Sequence, residues 1–471
     1  MSKSYKQNKI KDVYTPVFEV RVVFMEAILA RSIVPVCAVL ASEDCLDLYD
    51  HEIIKSGRNV LASPNCPVRF VPLPDILAPA NAPPVTPSND KTIETIFNLH
   101  EKYGKEYFPE LVHELVLQTT GLDSHQRQNE TFGHPVACII AVSDKHPSPI
   151  GALTQLYQQS FKGFPKYLNC EFIRCAVYVR TSEPKENAEE FSIISNEFGP
   201  HCYEMKESDF ENVATELAQK SVYAYLDRLV RQWQNVNTKT SGSLGFGKFL
   251  KKFVSSGPPR PETNIFREVS REMQPHVASI PAPRRDSLLD LDLQMRRLAD
   301  VGMFLHEYTL SRSAYESLRK SFTADQKWGA LGACCEMIAL SASLSLNSSK
   351  GLKDNTGATF ISDALDSALY TYYSRIKMPV YSLRCVLIVC ACLCDKGYQL
   401  LAVGTLATTL VELSPVPLMG DNPAEMAVLM DRVAKAFEGH GWHRKALLWN
   451  TLSEREWQRA LKERNETNIE G

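Results

Sequence analysis

Pro135-Val-Ala-Cys-Ile-Ile-Ala-Val142 is a run of eight residues without a charge. Such a run has the length of a buried strand and is short for a helix. Phe172-Ile-Arg-Cys-Ala-Val-Tyr-Val179 and Ile33-Val-Pro-Val-Cys-Ala-Val-Leu-Ala41 read the same way, the latter closing on a turn at Ser42-Glu-Asp44. Another apolar run covers Val68 to Leu73. Helical patterns lie between the strands, over Thr92 to Gln118 and around Pro149 to Phe161. Strands alternating with helices predict a mixed or parallel α/β domain over residues 33–206. The proline-rich stretch Ala78 to Pro87 reads as an extended loop, and residues 1–32 as a polar, then loosely amphipathic extension.

Downstream the apolar period becomes 3.6. From Asp209 to Val236 it places Val213, Leu217, Val222, Leu226, Leu229 and Trp233 on one face, with Ser208 or Asp209 as N-cap. After a proline-rich strip the chain reads as helical to its end: Leu288–Tyr308, Ser311–Phe322, Ala324–Leu344, Ala358–Tyr373, Leu383–Cys394, Gly397–Leu413, Pro423–Glu438 and Arg444–Lys462. Short connections imply antiparallel pairs, hence an all-α solenoid of tetratricopeptide-like hairpins following the α/β domain. The expected organisation is an extension (1–32), the α/β domain (33–206), a long helix with an amphipathic segment (207–256), a proline-rich linker (257–285) and the solenoid (286–471).

The amphipathic segment is Leu244-Gly-Phe-Gly-Lys-Phe-Leu-Lys-Lys-Phe-Val254. Wound as a helix, it gathers Phe246, Phe249, Leu250, Phe253 and Val254 apart from Lys248, Lys251 and Lys252, and these residues with Leu244 are the expected membrane-binding set. One reading is a core helix with a solvated lysine face. Gly245 and Gly247 weaken that reading, because each costs about 1 kcal/mol of helix propensity and offers nothing to pack. Burial of each large apolar side chain contributes about 1.5–3 kcal/mol, and each lysine near an anionic leaflet about 1 kcal/mol. The sum predicts weak, reversible binding to an anionic membrane surface.

The chain's 471 residues, 44% of them hydrophobic, suit two or three globular domains. A formal charge of −3 gives no whole-chain argument for nucleic acid. The N-terminus has no signal-peptide core, and the longest apolar run, Cys385 to Cys394, is too short to span a bilayer, so a cytoplasmic protein touching membranes peripherally is expected. The 13 cysteines form no C-x-x-C and read as small core hydrophobes. Gly242-Ser-Leu-Gly-Phe-Gly-Lys248 has the spacing of a phosphate-binding loop, but Phe249 stands where a Mg²⁺-binding hydroxyl belongs and a helix precedes it. A nucleotide hydrolase is therefore the third reading. No pattern calls for a catalytic residue, a cofactor or a metal, and His134, His201, His306 and His440 read as solvated or capping residues.

Several blocks together resemble the 85 kDa subunit family of the trafficking protein particle (TRAPP) complex, also called subunit 8. They are Ile33 to Ala41, Val136 to Ser143, Phe164-Pro-Lys-Tyr-Leu168, Phe198-Gly-Pro-His-Cys-Tyr203, the Lys-Phe-Leu-Lys-Lys-Phe-Val core, and above all Met295-Arg-Arg-Leu-Ala-Asp-Val-Gly-Met-Phe-Leu-His-Glu-Tyr308. The resemblance implies a non-catalytic accessory subunit of TRAPP III, a guanine-nucleotide exchange complex for a Rab/Ypt-family GTPase in ER-to-Golgi traffic and autophagy. It implies TRAPP core subunits as partners, an indirect link to the GTPase, and a peripheral location on Golgi or pre-autophagosomal membranes. Phe246, Phe249, Leu250 and Phe253 would be the insertion face. The family's N-terminal region is likened to a GTPase fold without a working nucleotide site, and its members run longer. A generic tetratricopeptide-type adaptor is the alternative reading.

Overall fold

The computed structural model describes residues 33–45, 67–77, 89–120, 129, 131–165, 168, 170–180, 188–206, 210–240, 264–274, 291–346, 355–413 and 423–470. In chain order the strands are β1 (Val36–Ala41), β2 (Arg69–Pro72), β3 (Pro135–Ser143), β4 (Ile173–Arg180) and β5 (Cys202–Lys206). The first helices are α1 (Leu73–Leu77), α2 (Asn89–Tyr103), α3 (Phe108–Thr120), α4 (Pro149–Gln159), α5 (Ala188–Phe198), α6 (Phe210–Leu217), α7 (Ala224–Thr240) and α8 (Ile265–Met273). The remainder are α9 (Leu291–Phe304), α10 (Tyr308–Ala324), α11 (Trp328–Leu344), α12 (Asn355–Tyr370), α13 (Pro379–Asp395), α14 (Gln399–Leu413), α15 (Pro423–Gly439) and α16 (His443–Glu470). The fold is thus a parallel α/β region followed by a long series of packed helices, as the apolar patterns predict.

The five strands form one parallel sheet in the order β2-β1-β3-β4-β5. Register runs through pairs such as Val39 with Ile139, Ile140 with Ala176, and Val177 with Tyr203. All nine residues of β3 are buried, because a parallel sheet is covered on both faces and leaves no position for a polar alternate. Val36, Ala38, Cys138, Ile140, Val142, Ala176 and Tyr178 face Leu73 and Ile76 of α1, Leu153 and Tyr157 of α4, and Ile194 and Phe198 of α5.

The chain divides into two compact units that interleave along the sequence. One holds Ile33–Thr86 and Thr120–Gln326, the other Met1–Ser32, Pro87–Thr119 and Lys327–Gly471. In the first, the sheet unit, helices α6 to α8 and the hairpin α9–α10 pack with the sheet. In the second, the helical unit, α2 and α3 pack with α11 to α16. Trp457 of α16 lies 5.9 Å from Phe97 and 4.1 Å from His100, and the Arg432 guanidinium sits 3.5 Å over the Phe108 ring.

Three local readings change. The pattern from Thr92 to Gln118 is two helices, broken at Gly104, whose φ is +55°. The stretch from Asp209 to Val236 is α6 and α7 joined by a π-helical turn, Ala218–Tyr223; Leu217, Val222, Leu226, Leu229 and Trp233 are buried as expected, and Val213 is half-buried. The proline-rich strip 257–285 contains α8, whose N-cap Asn264 accepts from the Arg267 amide at 3.2 Å and whose Ile265, Phe266 and Val269 are buried.

Helix hairpins close on left-handed residues: His306 (φ +62°), Gln326 (+56°), Lys377 (+56°), Gly397 (+85°) and Gly441 (+79°). Behind several of these, the next amide reaches back five residues, as from Glu307 to Gly302 O (2.8 Å), Tyr398 to Leu393 O (2.7 Å) and Trp442 to Phe437 O (2.9 Å). This bond satisfies a carbonyl the helix end leaves open. The described cysteines are all free thiols, mostly buried. Among the described residues no helix is long and apolar enough to cross a membrane.

Candidate functional site

Helices α7 and α8 flank the sequence stretch that holds the amphipathic segment. Trp233 of α7 and Ile265 and Phe266 of α8 are buried in the sheet unit. Tyr225 OH accepts from Ser270 Oγ at 3.1 Å and donates to Glu171 O at 3.1 Å, and Arg228 pairs with Glu272. Residues 241–263 therefore leave from one anchored helix and return to another. The membrane-binding set, Leu244, Phe246, Phe249, Leu250, Phe253, Val254, Lys248, Lys251 and Lys252, and the phosphate-loop candidate Gly242–Lys248 lie outside the described residues.

A polar network fixes the π turn to the sheet. Ser221 Oγ lies 2.6 Å from His201 Nδ1 and 2.6 Å from Tyr203 OH. Burial lowers the pKa of His201, partly offset by a bond to the Met273 backbone, which places the ring proton on Nε2. Ser221 then donates to His201 Nδ1 and accepts from Tyr203. A serine beside a histidine is the pattern of an activated nucleophile, but Ser221 is 0% exposed and its hydroxyl is fully engaged. The network positions α8 and the π turn. A solvated or capping histidine is the sequence's expectation here, and burial overturns the solvated reading for His201 as it does for His134; the only local signal at His201 is the apolar Phe198 and Tyr203 on either side.

Beside it, Arg174 is buried without a carboxylate in ion-pair contact among the described residues. Its guanidinium donates to Ser160 Oγ (2.6 Å), Phe172 O (2.9 Å), Cys170 O (3.0 Å) and Ser160 O (3.2 Å), and lies 3.4 Å over the Phe161 ring. Gln274, just past α8, accepts from the Arg174 amide at 3.1 Å and donates to its carbonyl, occupying the strand edge where β5 has not yet begun.

The block Met295 to Phe304 is buried throughout. Gln294 accepts from the Ile265 amide at 3.1 Å; Arg296 donates to Asp300 at 3.1 Å; Tyr315 OH and Thr131 Oγ1 also donate to Asp300, the former at 2.6 Å. Arg297 donates to Pro135 O at 3.0 Å and lies 5.1 Å from the Phe266 ring; burial lowers its pKa to about 10. The polar residues of this block join α8, the start of β3 and α10 into one unit. Their role is architectural.

A sheet of this order offers a ligand the crevice at the carboxyl ends of β1 and β3, where the strand order reverses. The turns there are Ser42-Glu-Asp-Cys45 and Asp144-Lys-His146. Neither contains glycine, and Glu43 and Asp144 supply negative charge where a phosphate would need backbone amides. These residues do not fit a nucleotide phosphate. Among the described residues no group of three or more His, Cys, Asp or Glu is arranged to hold a metal.

A family model described as TRAPPC-Trs85, ER-Golgi trafficking TRAPP I complex 85 kDa subunit, matches residues 86–209 and 204–397. The chain is similar to the transport protein particle subunit trs85-1 of Schizosaccharomyces pombe, 23% identical over 249 residues, covering 50% of this chain and 35% of that protein. It is similar to subunit trs85-2 of the same organism, 20% identical over 312 residues, covering 55% of this chain and 48% of the relative. The human trafficking protein particle complex subunit 8 is 25% identical over 175 residues, 37% of this chain and 11% of that protein. The matched stretches thus span from about a tenth to about half of these relatives. No solved structure matches. The family match extends over most of the chain, from the start of α2 through β3, β4 and β5 to the end of α13, and the chain belongs to the TRAPPC-Trs85 family, that of the ER-Golgi trafficking TRAPP complex 85 kDa subunit.

Proposed function

We propose that this chain is a non-catalytic accessory subunit of TRAPP III that scaffolds a Rab/Ypt guanine-nucleotide exchange complex and targets it to membranes in ER-to-Golgi traffic and autophagy. The observation that carries the reading is the family match, which runs through both compact units. Its partners are TRAPP core subunits, with the GTPase reached indirectly. Membrane contact is assigned to 244–254, with Phe246, Phe249, Leu250 and Phe253 inserting and Lys248, Lys251 and Lys252 facing anionic headgroups. Anchored helices at both ends, α7 and α8, support this: the segment can engage a surface without disturbing the sheet unit. The protein would then be cytoplasmic and peripheral on Golgi and pre-autophagosomal membranes.

Flotation of the purified chain on neutral and anionic vesicles tests the membrane assignment. Wild type is expected to float with anionic lipid and Phe249→Asp/Phe253→Asp to remain behind with unchanged circular dichroism; equal flotation of both overturns it. Co-purification tests the scaffold. Recovery of small TRAPP core subunits supports it, and the accompanying subunits decide between TRAPP III and the TRAPP I of the family's description. Recovery of unrelated partners alone would favour a generic tetratricopeptide-type adaptor.

A further inference from the structure

Helix α12 ends in a second π-helical turn, Thr371–Arg375, where the Ile376 amide donates to Thr371 O at 3.1 Å and the Met378 amide to Tyr372 O at 2.8 Å. Such wide turns recur at functional positions in helices. Trp328, Gly332 and Glu336, spaced four residues apart, form one row along α11 that receives this turn. At Glu336 the Tyr372 hydroxyl donates to the carboxylate at 2.6 Å. At Gly332 the Tyr372 ring comes so near that a Cβ would lie 2.8 Å from its Cε1. At Trp328 the Arg375 guanidinium lies 3.6 Å over the indole, with the Tyr370 ring 5.4 Å away.

A buried tyrosine thus sets the position of a surface arginine. Arg375 is exposed, and its side chain makes no hydrogen bond or ion pair among the described residues. A guanidinium stacked on a ring keeps its N–H groups free in its own plane, and the stacking orders the side chain before any ligand arrives. That preset fork matches the two oxygens of a carboxylate. Lys377, exposed and held at φ +56°, adds a second cation to the same corner. Tyr370, 58% exposed, is the most exposed aromatic side chain among the described residues, and Trp328 beneath the arginine is half-buried. Tryptophan, tyrosine and arginine are the residues in which protein–protein binding energy concentrates, so this corner suits a protein segment bearing negative charge.

We propose that Arg375, held over Trp328 and beside Tyr370, receives a carboxylate from an acidic segment of a partner protein, with Lys377 adding to the attraction. Thermophoresis of the labelled full chain, titrated with a hexapeptide of alternating Asp and Glu from about 10 μM to 10 mM, covers the affinities of so small a contact. The acidic peptide is expected to bind at least tenfold more tightly than its Asn and Gln counterpart. Arg375→Ala weakens it tenfold or more with no change in melting temperature. Arg375→Lys keeps the charge and loses the fork, and Trp328→Leu removes the platform beneath it; each weakens binding several-fold. Absence of binding, or binding indifferent to Arg375→Ala, overturns the proposal. So does an Arg375→Lys chain that binds like wild type, because charge alone would then suffice. A phosphoserine hexapeptide that binds tenfold more tightly than the acidic one overturns it too, and gives the corner to a phosphorylated ligand.

Discussion

Each compact unit buries an arginine, and the two solve the same problem with different materials. Arg384 of α13, in the helical unit, is paired through two nitrogens with Glu336 of α11, one bond being 2.9 Å, while Tyr372 OH donates to the same carboxylate at 2.6 Å. Its third nitrogen donates to Thr119 Oγ1 at 2.8 Å. Arg174, in the sheet unit, is held by carbonyls and aromatic rings. Packed helices commit their backbone carbonyls to their own amides, so a cation among them needs a carboxylate. The connection between α4 and β4 ends a helix and starts a strand, and leaves the carbonyls of Ser160, Cys170 and Phe172 free to converge. Loops beside a sheet can therefore stabilise a charge that a helix interior cannot.

The largest test of this contrast is Glu336→Leu, which leaves Arg384 as an unpaired buried cation. Urea unfolding should show the helical unit about 3–5 kcal/mol less stable, and Glu336→Leu/Arg384→Leu should recover part of the loss. Beside Arg174 no carboxylate has this leverage: Glu171→Gln, which loosens a partly exposed pair with Arg267, should cost at most about 1 kcal/mol. Arg174→Lys keeps the charge and loses the planar fork, leaving carbonyls unsatisfied, for about 1–3 kcal/mol.

One group in each unit should respond oppositely to pH, read by hydrogen exchange resolved to each unit. Burial lowers the pKa of His201 below its ordinary 6.5, so the unfolded chain binds the proton first and the sheet unit loses stability as pH falls below 6.5. Burial raises Glu425 of α15 from 4.5 to about 8, so the helical unit keeps that contribution below 4.5 and loses it as pH rises toward 8. His201→Gln and Glu425→Gln should each flatten the slope of their own unit alone. The smallest effects belong to hairpin corners: Lys377→Gly should gain, and Gly441→Ala lose, up to about 1 kcal/mol in thermal unfolding.

Much of this architecture was legible in the sequence. The uncharged run Pro135 to Val142 marked the central strand, and all eight helices after Arg285 stand close to their expected positions, because long periodic patterns leave few alternatives. The misses were local or relational. Strand β5 is five residues long with Glu204 and Lys206 exposed, a pattern too short to stand out. Helix α8 was obscured by the flanking Pro261 and Pro275, although Asn264 followed by Ile265 and Phe266 is a cap signal. A buried face announces that it is covered, not by what, so the pairing of α2 and α3 with helices about 260 to 360 residues later had no local signature. The block Met295 to Phe304 was the strongest mark of family, and its polar residues turned out to hold the interior together.

That interleaving has a consequence during synthesis. Helices α2 and α3 emerge from the ribosome roughly 260 residues before α13, whose Tyr381 and Arg384 bond to Thr119, a delay of about 13–52 s at 5–20 residues per second. The sheet unit's own partners are complete by Gln326 and can close first, around a nascent pair of helices still waiting with Phe97, Phe108, Leu111 and Leu115 uncovered. The helical unit is thus an obligate late folder whose earliest piece needs shelter, making α2–α3 the natural landing site for a chaperone on the growing chain.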